Sequence, residues 1–426
     1  KMKSIVLRFV CVFGLLLFYS CSSVTQEDQY TLVPYELEFS GFSKPNIAQD
    51  NKLTKQGVAL GRKLFYEKRL SKDNSISCAS CHEQKNAFSD ERQFSLGVKK
   101  IPGKRQAMAI FNMAWNNEFF WDGRAHLLRD QALMPIEDEL EMNETLENVI
   151  DKLKKEKLYQ KEFDIVFPNQ GISSLTISLA LEQFMNSIVS NQSKYDLFLR
   201  NKATLTASEE RGRDLFFKGY DSANPTNSGA NCAQCHNGAN FENNDFMNNG
   251  LDLETNFKDF GREMITNDSF DRAKFKVPSL RNIEVTAPYM HDGRLKTLEE
   301  VIEHYNSKVV VSSTLNLTLA SISRVGLRLT EQDKKDLVAF LKTENDLTQF
   351  SKRTKFWFYD LLFLDVLANN NGIGSTVFAS MFKKVNAKTI LKFLDEESTF
   401  LQDLKIMSSV SPKLFLSAIF KRIFKS

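Results

Sequence analysis

Two stretches with identical spacing decide the fold: Cys78-Ala-Ser-Cys81-His82 and Cys232-Ala-Gln-Cys235-His236. With six cysteines and five histidines in 426 residues, one such match arises by chance about once in a thousand sequences. Cys-x-x-Cys-His is the attachment pattern of c-type haem, in which two thiols bond the vinyl groups of one haem and the adjacent histidine binds its iron. The chain is therefore predicted to hold two covalent haems, with His82 and His236 as iron ligands.

Structural zinc and local disulfides use the same residue types. Zinc would need further cysteine or histidine ligands to complete two sets of four, and the three other histidines are poorly placed to do so. These are His126, His291 and His304. Haem is favoured at both sites.

The sequence around each haem motif repeats. Gly61-Arg-Lys-Leu-Phe65 precedes the first motif and Gly212-Arg-Asp-Leu-Phe216 the second, while Trp121-Asp-Gly-Arg124 corresponds downstream to His291-Asp-Gly-Arg294. Apolar residues follow helical spacing, and alternating runs are few. The repeat predicts a mainly α protein with two cytochrome c-like haem domains related by duplication, at 51–200 and 201–347, followed by a helical C-terminal extension over 348–426.

Composition excludes some classes of protein. Apolar residues make up 42% of the chain, which excludes a disordered chain. The 56 Lys and Arg nearly balance the 53 Asp and Glu, for a net charge of +3. This balance gives no electrostatic basis for binding nucleic acid.

The first twenty residues resemble a secretory signal. Lys1, Lys3 and Arg8 accompany an apolar run over 5–19 that is too short for a comfortable membrane span. Ser20 and Cys21 follow it as in a bacterial lipobox, which predicts lipidation at Cys21, with ordinary signal cleavage as the alternative. A polar tether is expected over 21–50. The protein is thus predicted to lie in the periplasm or cell envelope, held at a membrane by a lipid anchor.

Two longer stretches identify a family resemblance. FFWDGRAHLLRDQALMPIEDELEM (119–142) and VPSLRNIEVTAPYMHDGRLKTLEEVIEHY (277–305), together with both haem motifs, resemble the bacterial di-haem cytochrome c peroxidase family and its MauG branch over about residues 50–347. The resemblance implies an N-terminal peroxidatic domain and a C-terminal electron-transfer domain. It also implies that Trp121 lies between the haems, and that Gln131 and Glu141 line the distal pocket of the first haem.

The implied roles are chemically reasonable. A carboxylate over an open iron can take a proton from the near oxygen of peroxide and return it to the far one. Gln131 would orient the peroxide and Trp121 would relay electrons. Alone, Glu141 would be interpreted as a solvated carboxylate in the acidic run 137–141, and Trp121 as a core residue.

Both haems depart from the better-known peroxidases. Those carry a histidine in the loop after the first haem, but no histidine occurs between His82 and His126 here. We therefore expect a five-coordinate or water-bound first haem, and a surface position for His126. At the second haem, the family's methionine ligand lies fourteen residues after the position of His291, where this chain has Tyr305, resembling the tyrosine ligand of the MauG branch. Met290 is the rival ligand.

Helical periodicity supports Tyr305. Thr297 is expected to cap a helix that has Glu299 and Glu300 in its first turn. Tyr305 then falls on the apolar face, whereas His304 turns away from it toward Glu300. His304 is accordingly predicted to be a surface residue.

Further ligands follow from the resemblance. The family binds calcium between the haems through backbone oxygens of the Thr and Pro in a Thr-Ala-Pro segment and through an asparagine. Thr286 and Pro288 match, and Gln106 takes the place of the asparagine, so calcium is an expectation. Arg124, Arg281 and Arg294 are candidates for pairing with haem propionates, with surface ion pairs as the alternative.

The resemblance implies a periplasmic peroxidase that reduces hydrogen peroxide to water. Electrons from a small cytochrome or a cupredoxin would pass from the C-terminal to the N-terminal haem. The alternatives are a MauG-like oxidase that modifies a partner protein, which a tyrosine ligand favours because phenolate stabilises high oxidation states, and a non-catalytic di-haem electron-transfer cytochrome. A homodimer is compatible with the sequence.

The last part of the chain departs from this pattern. Residues 351–426 are rich in Phe and Leu, contain no His or Cys, and resemble the C-terminal end of bacterial lycopene cyclases. No Gly-x-Gly-x-x-Gly occurs, so cyclase activity is not inferred. The segment from Pro412 is basic and amphipathic, as in helices that lie on membranes. No role is assigned to this tail.

Overall fold

The computed structural model describes residues 31–221, 223–224 and 227–346. The predicted signal, Cys21 and the predicted extension over 348–426 lie outside the described residues. The described residues up to Asn345 form one compact unit. The mainly α fold predicted from the sequence is confirmed: the described strands are β1 (Phe246–Met247) and β2 (Phe275–Lys276), which pair antiparallel.

The helices divide between two halves. Those of the first half are α1 (Lys55–Phe65), α2 (Leu128–Glu137), α3 (Leu146–Lys154), α4 (Lys157–Val166), α5 (Ser174–Asn186) and α6 (Lys194–Leu199). Those of the second half are α7 (Ala207–Phe217), α8 (Glu263–Thr266), α9 (Leu298–Glu303), α10 (Leu317–Ile322) and α11 (Glu331–Lys342). One π-helical turn, His304–Lys308, continues α9, and short 3₁₀ turns connect other elements. None of the described helices is long and apolar enough to cross a lipid bilayer.

The same helix–helix contact occurs in both halves. A Cβ atom on Gly61 of α1 would lie 1.8 Å from the carbonyl oxygen of Ala180 in α5. In the second half, a Cβ on Gly212 of α7 would lie 1.9 Å from the carbonyl oxygen of Asp336 in α11. The glycine of each Gly-Arg-x-Leu-Phe segment thus allows two helix backbones to touch. This equivalence supports the predicted duplication.

The Asp-Gly-Arg segments also fold alike. Each is closed by an antiparallel bridge, Phe119 to Ala125 in the first half and Tyr289 to Leu295 in the second. Gly123 and Gly293 adopt positive φ angles of 73° and 62° in these turns. The correspondence extends the internal repeat beyond the haem motifs.

The predicted boundary between the two haem domains needs correction. Helix α6, assigned from sequence to the first domain, belongs to the core of the second half: the ring of Tyr195 lies 5.1 Å from that of Phe340. The boundary predicted at residue 200 therefore falls after a helix that packs on the following domain. Periodicity shows which face of a helix is apolar, but it does not show which core covers that face.

Residues 31–50, predicted as part of a polar tether, lie against the first half. Trp115 donates its indole N–H to the carbonyl of Ser43 at 2.9 Å, and the Phe42 ring lies 4.7 Å from the Trp115 ring. Asn191 donates to the carbonyl of Glu38. The aromatic residues among the polar ones bind this segment to the domain, so the tether prediction is wrong for 31–50, whereas 21–30 lie outside the described residues.

Candidate active site

Each Cys-x-x-Cys-His segment forms one tight turn. The two cysteine pairs begin 3₁₀ turns at Cys78–Ser80 and Cys232–Gln234, and the backbone N–H of the following histidine donates to the first cysteine's carbonyl at 2.9 Å in both. All four thiols are free. In each half, the structure thus places two thiols and an imidazole on one short turn, with no disulfide among these four cysteines.

Both imidazoles are oriented as iron ligands. His82 Nδ1 lies 3.0 Å from the carbonyl oxygen of Phe88, and His236 Nδ1 lies 3.1 Å from that of Phe241. Because a carbonyl only accepts, Nδ1 carries the proton and Nε2 keeps a lone pair for a metal. Burial lowers the pKa of both rings, to about 4 for His236, so the neutral, ligating form prevails. Free thiol pairs beside such imidazoles are the donor set that a c-type haem requires.

The predicted catalytic side chains meet in one cavity of about 1730 Å³. Trp121, Gln131 and Glu141 all line it, together with His82. The second half contributes Asn249, Phe275, Lys276 and His291 to the same wall. The cavity therefore spans both halves and adjoins the first haem motif.

Glu141 follows α2 in a loop that Gly97 holds in place. The carbonyl of Glu141 accepts from the backbone N–H of Val98 at 2.9 Å, and a Cβ on Gly97 would lie 2.0 Å from the carbonyl oxygen of Leu140. Burial, reinforced by Asp138 and opposed by Arg124, raises the pKa of Glu141 to about 7. A carboxyl poised near neutrality can both accept and return a proton. Sequence reasoning missed Gly97, because a lone loop glycine carries no signal.

Trp121 is buried and held by both halves. Its indole N–H donates to the carbonyl of Gln106 at 2.8 Å, and the backbone N–H of Gln106 donates to the carbonyl of His291 at 2.8 Å. The backbone N–H of Lys276 donates to the carbonyl of Trp121 at 2.7 Å. The indole is thus fixed in the cavity of His82, and its position between the two haems stays a prediction.

The residues of the expected calcium site lie in one region. The backbone N–H of Gln106 donates to the carbonyl of His291, three residues beyond Pro288. Pro288 is joined to Ala287 by a cis peptide bond, and Thr286 precedes that pair. The Gln106 side chain is buried and donates from Nε2 to Ser89 and to the carbonyl of Asp90. Calcium binding stays a prediction.

The three arginines predicted to pair with haem propionates lie in different environments. Arg124 and Arg294 line the cavity. Arg281 is 2% exposed, and its guanidinium donates to both carboxylate oxygens of Asp196, at 2.7 and 2.8 Å. A buried cation requires such a partner. Arg281 therefore has a buried counterion in Asp196, while Arg124 pairs with Asp122 and Arg294 with Asp252. Pairing of these arginines with haem propionates stays a prediction.

Tyr305 lies beside the second haem motif. It packs on the same core cluster as Cys232, and burial raises the pKa of its phenol to about 12. Thr297 caps α9 by accepting from the N–H of Glu300, as predicted. Met290, the rival ligand, has a positive φ of 75°.

The surface position predicted for His304 is wrong, whereas that of His126 is confirmed. His304 is 4% exposed, and its Nε2 lies 3.0 Å from the carbonyl oxygen of Asn249. The helix changes from α to π geometry at His304, which rotates the following residues away from the regular 3.6-residue period. The side chain of His126 is 74% exposed.

A mainly helical fold with two Cys-x-x-Cys-His turns, one in each half, is that of a di-haem c-type cytochrome. The family model described as di-haem cytochrome c peroxidase matches residues 55–204. The chain is 31% identical to "Methylamine utilization protein MauG" of Methylophilus methylotrophus, over 69% of this chain and 83% of that protein. It is 34% identical to the cytochrome c551 peroxidase of Nitrosomonas europaea, over 67% of this chain and 78% of the relative.

Solved structures agree with this grouping. A crystal structure of a MauG-like protein associated with microbial copper homeostasis has 32% identity and a TM-score of 0.67, covering 75% of this chain and 97% of that one. The chain belongs to the di-haem cytochrome c peroxidase family. It is a peroxidase-like oxidoreductase, and its family carries two c-type haems, which the two cysteine–histidine turns fit.

Proposed function

We propose that this protein reduces hydrogen peroxide to two waters in the periplasm or cell envelope, using two electrons that enter at the Cys232–His236 haem and reach the Cys78–His82 haem. The observation that carries the proposal is the convergence of Glu141, Gln131 and Trp121 on the cavity of His82. A small cytochrome or a cupredoxin is the proposed donor.

Glu141, Gln131 and Trp121 each have a separate role in the proposed reaction. When bound, the haems provide the iron at which peroxide reacts and the electrons that reduce it. Glu141 takes the proton from the near oxygen and delivers it to the far oxygen, which leaves as water. The near oxygen takes up the two electrons, together with two protons from solvent, and leaves as the second water. Gln131 orients the peroxide through its amide. Trp121, fixed by Gln106, relays electrons between the two sites.

We propose that peroxide reaches the first site without prior reduction of the second haem. The region between His82 and His126 contains no histidine, and His126 itself points to Glu118, with Nδ1 at 3.2 Å from its carboxylate. An open iron face would give a high-spin ferric electron paramagnetic resonance signal. A low-spin bis-histidine signal from the first haem would contradict this proposal.

Glu141→Gln tests the catalytic assignment. Gln keeps the size but cannot accept a proton, so the rate of reaction with peroxide should fall by about 10²–10⁴-fold. Glu139→Gln is the matched control, because Glu139 lies in the same acidic run with its side chain 81% exposed. Stopped-flow spectroscopy of the ferric protein measures the rate of reaction with peroxide in both variants. A wild-type rate in the Glu141 variant would remove this residue from the mechanism.

A second candidate is MauG-like oxidation of a partner protein, favoured by the position of Tyr305 beside Cys232. Phenolate ligation stabilises higher oxidation states and makes a haem a poor acceptor of ordinary cytochrome electrons. Turnover of peroxide with a reduced small cytochrome would support the peroxidase. Peroxide-driven oxidation of a protein from the same organism would support the oxidase, and reaction at neither haem would leave an electron-transfer cytochrome.

A further inference from the structure

The side chain of Asn249 lies between the two candidate ligands of the second haem. Its Nδ2 is 3.2 Å from the sulfur of Met290 and 3.5 Å from the hydroxyl oxygen of Tyr305. An amide NH₂ has two donors, so one side chain can bond both partners. Asn249 also lines the cavity shared by the two halves. No motif in the sequence pointed to this residue.

The backbone of Asn249 is fixed independently of its side chain. Its carbonyl accepts a hydrogen bond from His304 Nε2 at 3.0 Å. The His304 ring is buried and meets the Tyr305 ring at a centroid distance of 4.9 Å. The π-helical turn that carries Tyr305 therefore also anchors Asn249, which couples the positions of the two residues.

The backbone conformation of Met290 also restrains this residue. Its φ of 75° is a conformation that a non-glycine residue rarely adopts. The turn of the Met290-His-Asp-Gly segment holds this angle through the Tyr289–Leu295 bridge. The contact from Asn249 engages the sulfur, which is the atom through which a methionine ligates iron.

We infer that Asn249 is a positioning residue that selects Tyr305 over Met290 as the ligand of the second haem, by holding the methionine sulfur while it supports the tyrosine oxygen. The inference rests on the proposed function, because it requires a haem at Cys232–Cys235. The choice has a chemical consequence: thioether ligation favours ferrous iron, whereas phenolate ligation favours the ferric and higher states.

Asn249→Leu tests the selection, since leucine keeps the volume and removes the donors. The ferric holoprotein should lose phenolate-to-iron absorption and gain a methionine–iron charge-transfer band. The reduction potential of the second haem should rise. The double variant Asn249→Leu with Met290→Leu should lack the methionine band. A wild-type spectrum for Asn249→Leu would overturn the inference. Asn249→Asp, which keeps the shape without the donor, repeats the test if the leucine variant does not fold.

Controls separate this inference from the proposed function. Asn256→Ala, at an exposed asparagine of the same half that accepts from Thr255, should leave the spectrum unchanged. Tyr305→Phe should abolish the phenolate absorption, and a wild-type spectrum for it would overturn both the tyrosine assignment and the role of Asn249. Mass spectrometry reports covalent haem content, and a protein with one haem would refute the proposed di-haem function itself.

Discussion

The imidazole of His291 lies flat on the ring of Phe275, with centroids 3.6 Å apart and planes 8° apart. Both residues line the cavity that adjoins the first haem motif, and each is linked to Trp121 through backbone hydrogen bonds. The backbone of His291 is bonded to Gln106, which holds the indole, and the residue after Phe275 donates to the carbonyl of Trp121. The stacked pair belongs to the second half. Through these bonds it fixes the position of Trp121, the proposed electron relay.

Phe275→Leu is expected to slow electron transfer between the haems by about tenfold, because small displacements of a positioned group have large effects on rate. Haem content should not change. The measurement is the rate at which the half-reduced protein equilibrates its two haems after rapid mixing. Phe270→Leu is the matched control, since Phe270 lies in the same half and is 78% exposed. Equal rates in the two variants would contradict a bracing role for Phe275.

The pH dependence of the peroxide reaction should reflect Glu141. Burial raises its pKa to about 7, and only the ionised carboxylate can accept the peroxide proton. The second-order rate constant of the ferric protein should therefore fall as pH falls through 7, by about tenfold per pH unit below that. The Glu141→Gln variant should show no such bend. A wild-type profile that bends only between pH 4 and 5 would show an ordinary, solvated carboxyl.

Gly61→Ala and Gly212→Ala should each destabilise the fold by about 2–3 kcal/mol, because the added methyl would meet a helix carbonyl oxygen. Equal losses of unfolding free energy in the two variants would show that the helix contact contributes equally to stability in both halves. Gly103→Ala is the control, since the nearest atom to its added Cβ lies 3.7 Å away. Urea unfolding measures all three variants. A loss in the Gly103 variant as large as in the other two would show that the helix contacts are not the cause.

The two haem attachment motifs were the part of the site most predictable from sequence, because their residues are neighbours in the chain. Two thiols and a histidine within five residues form one turn whatever surrounds them, so both haem attachment sites followed from spacing alone. Glu141 was different, since its own sequence context predicts a solvated carboxylate. Its burial depends on Gly97, more than forty residues earlier, and no local pattern records that contact.

Other features depended on long-range packing. His304 was misplaced because helical periodicity does not show that the backbone of Asn249, 55 residues earlier in the chain, packs against its side chain. Helix α6 was assigned to the wrong half because periodicity does not show which core covers its apolar face. Asn249 gained a role only from its spatial position between Met290 and Tyr305, residues that are 41 and 56 positions away.

Glu344→Gln should stabilise the protein increasingly as pH rises. The Glu344 carboxyl is fully buried, and neither of its oxygens has a hydrogen-bond partner among the described residues. Burial, which Asp196 reinforces and Arg281 opposes, raises its pKa to about 8. Because the folded pKa exceeds the unfolded one, the unfolded state loses its proton first, and wild-type stability falls between about pH 4.5 and pH 8.

Glutamine does not titrate, so its stability advantage over glutamate at position 344 should grow by up to about 1.4 kcal/mol per pH unit in that range and level off above pH 8. Urea unfolding at pH 5, 6, 7 and 8 measures this slope. Glu331→Gln is the control, because the Glu331 side chain is 83% exposed and pairs only with Lys334 at the surface of α11 in the described structure. A pH-independent difference between wild type and Glu344→Gln would mean that Glu344 keeps an ordinary pKa, and that its unpartnered oxygens reach water or a counterion.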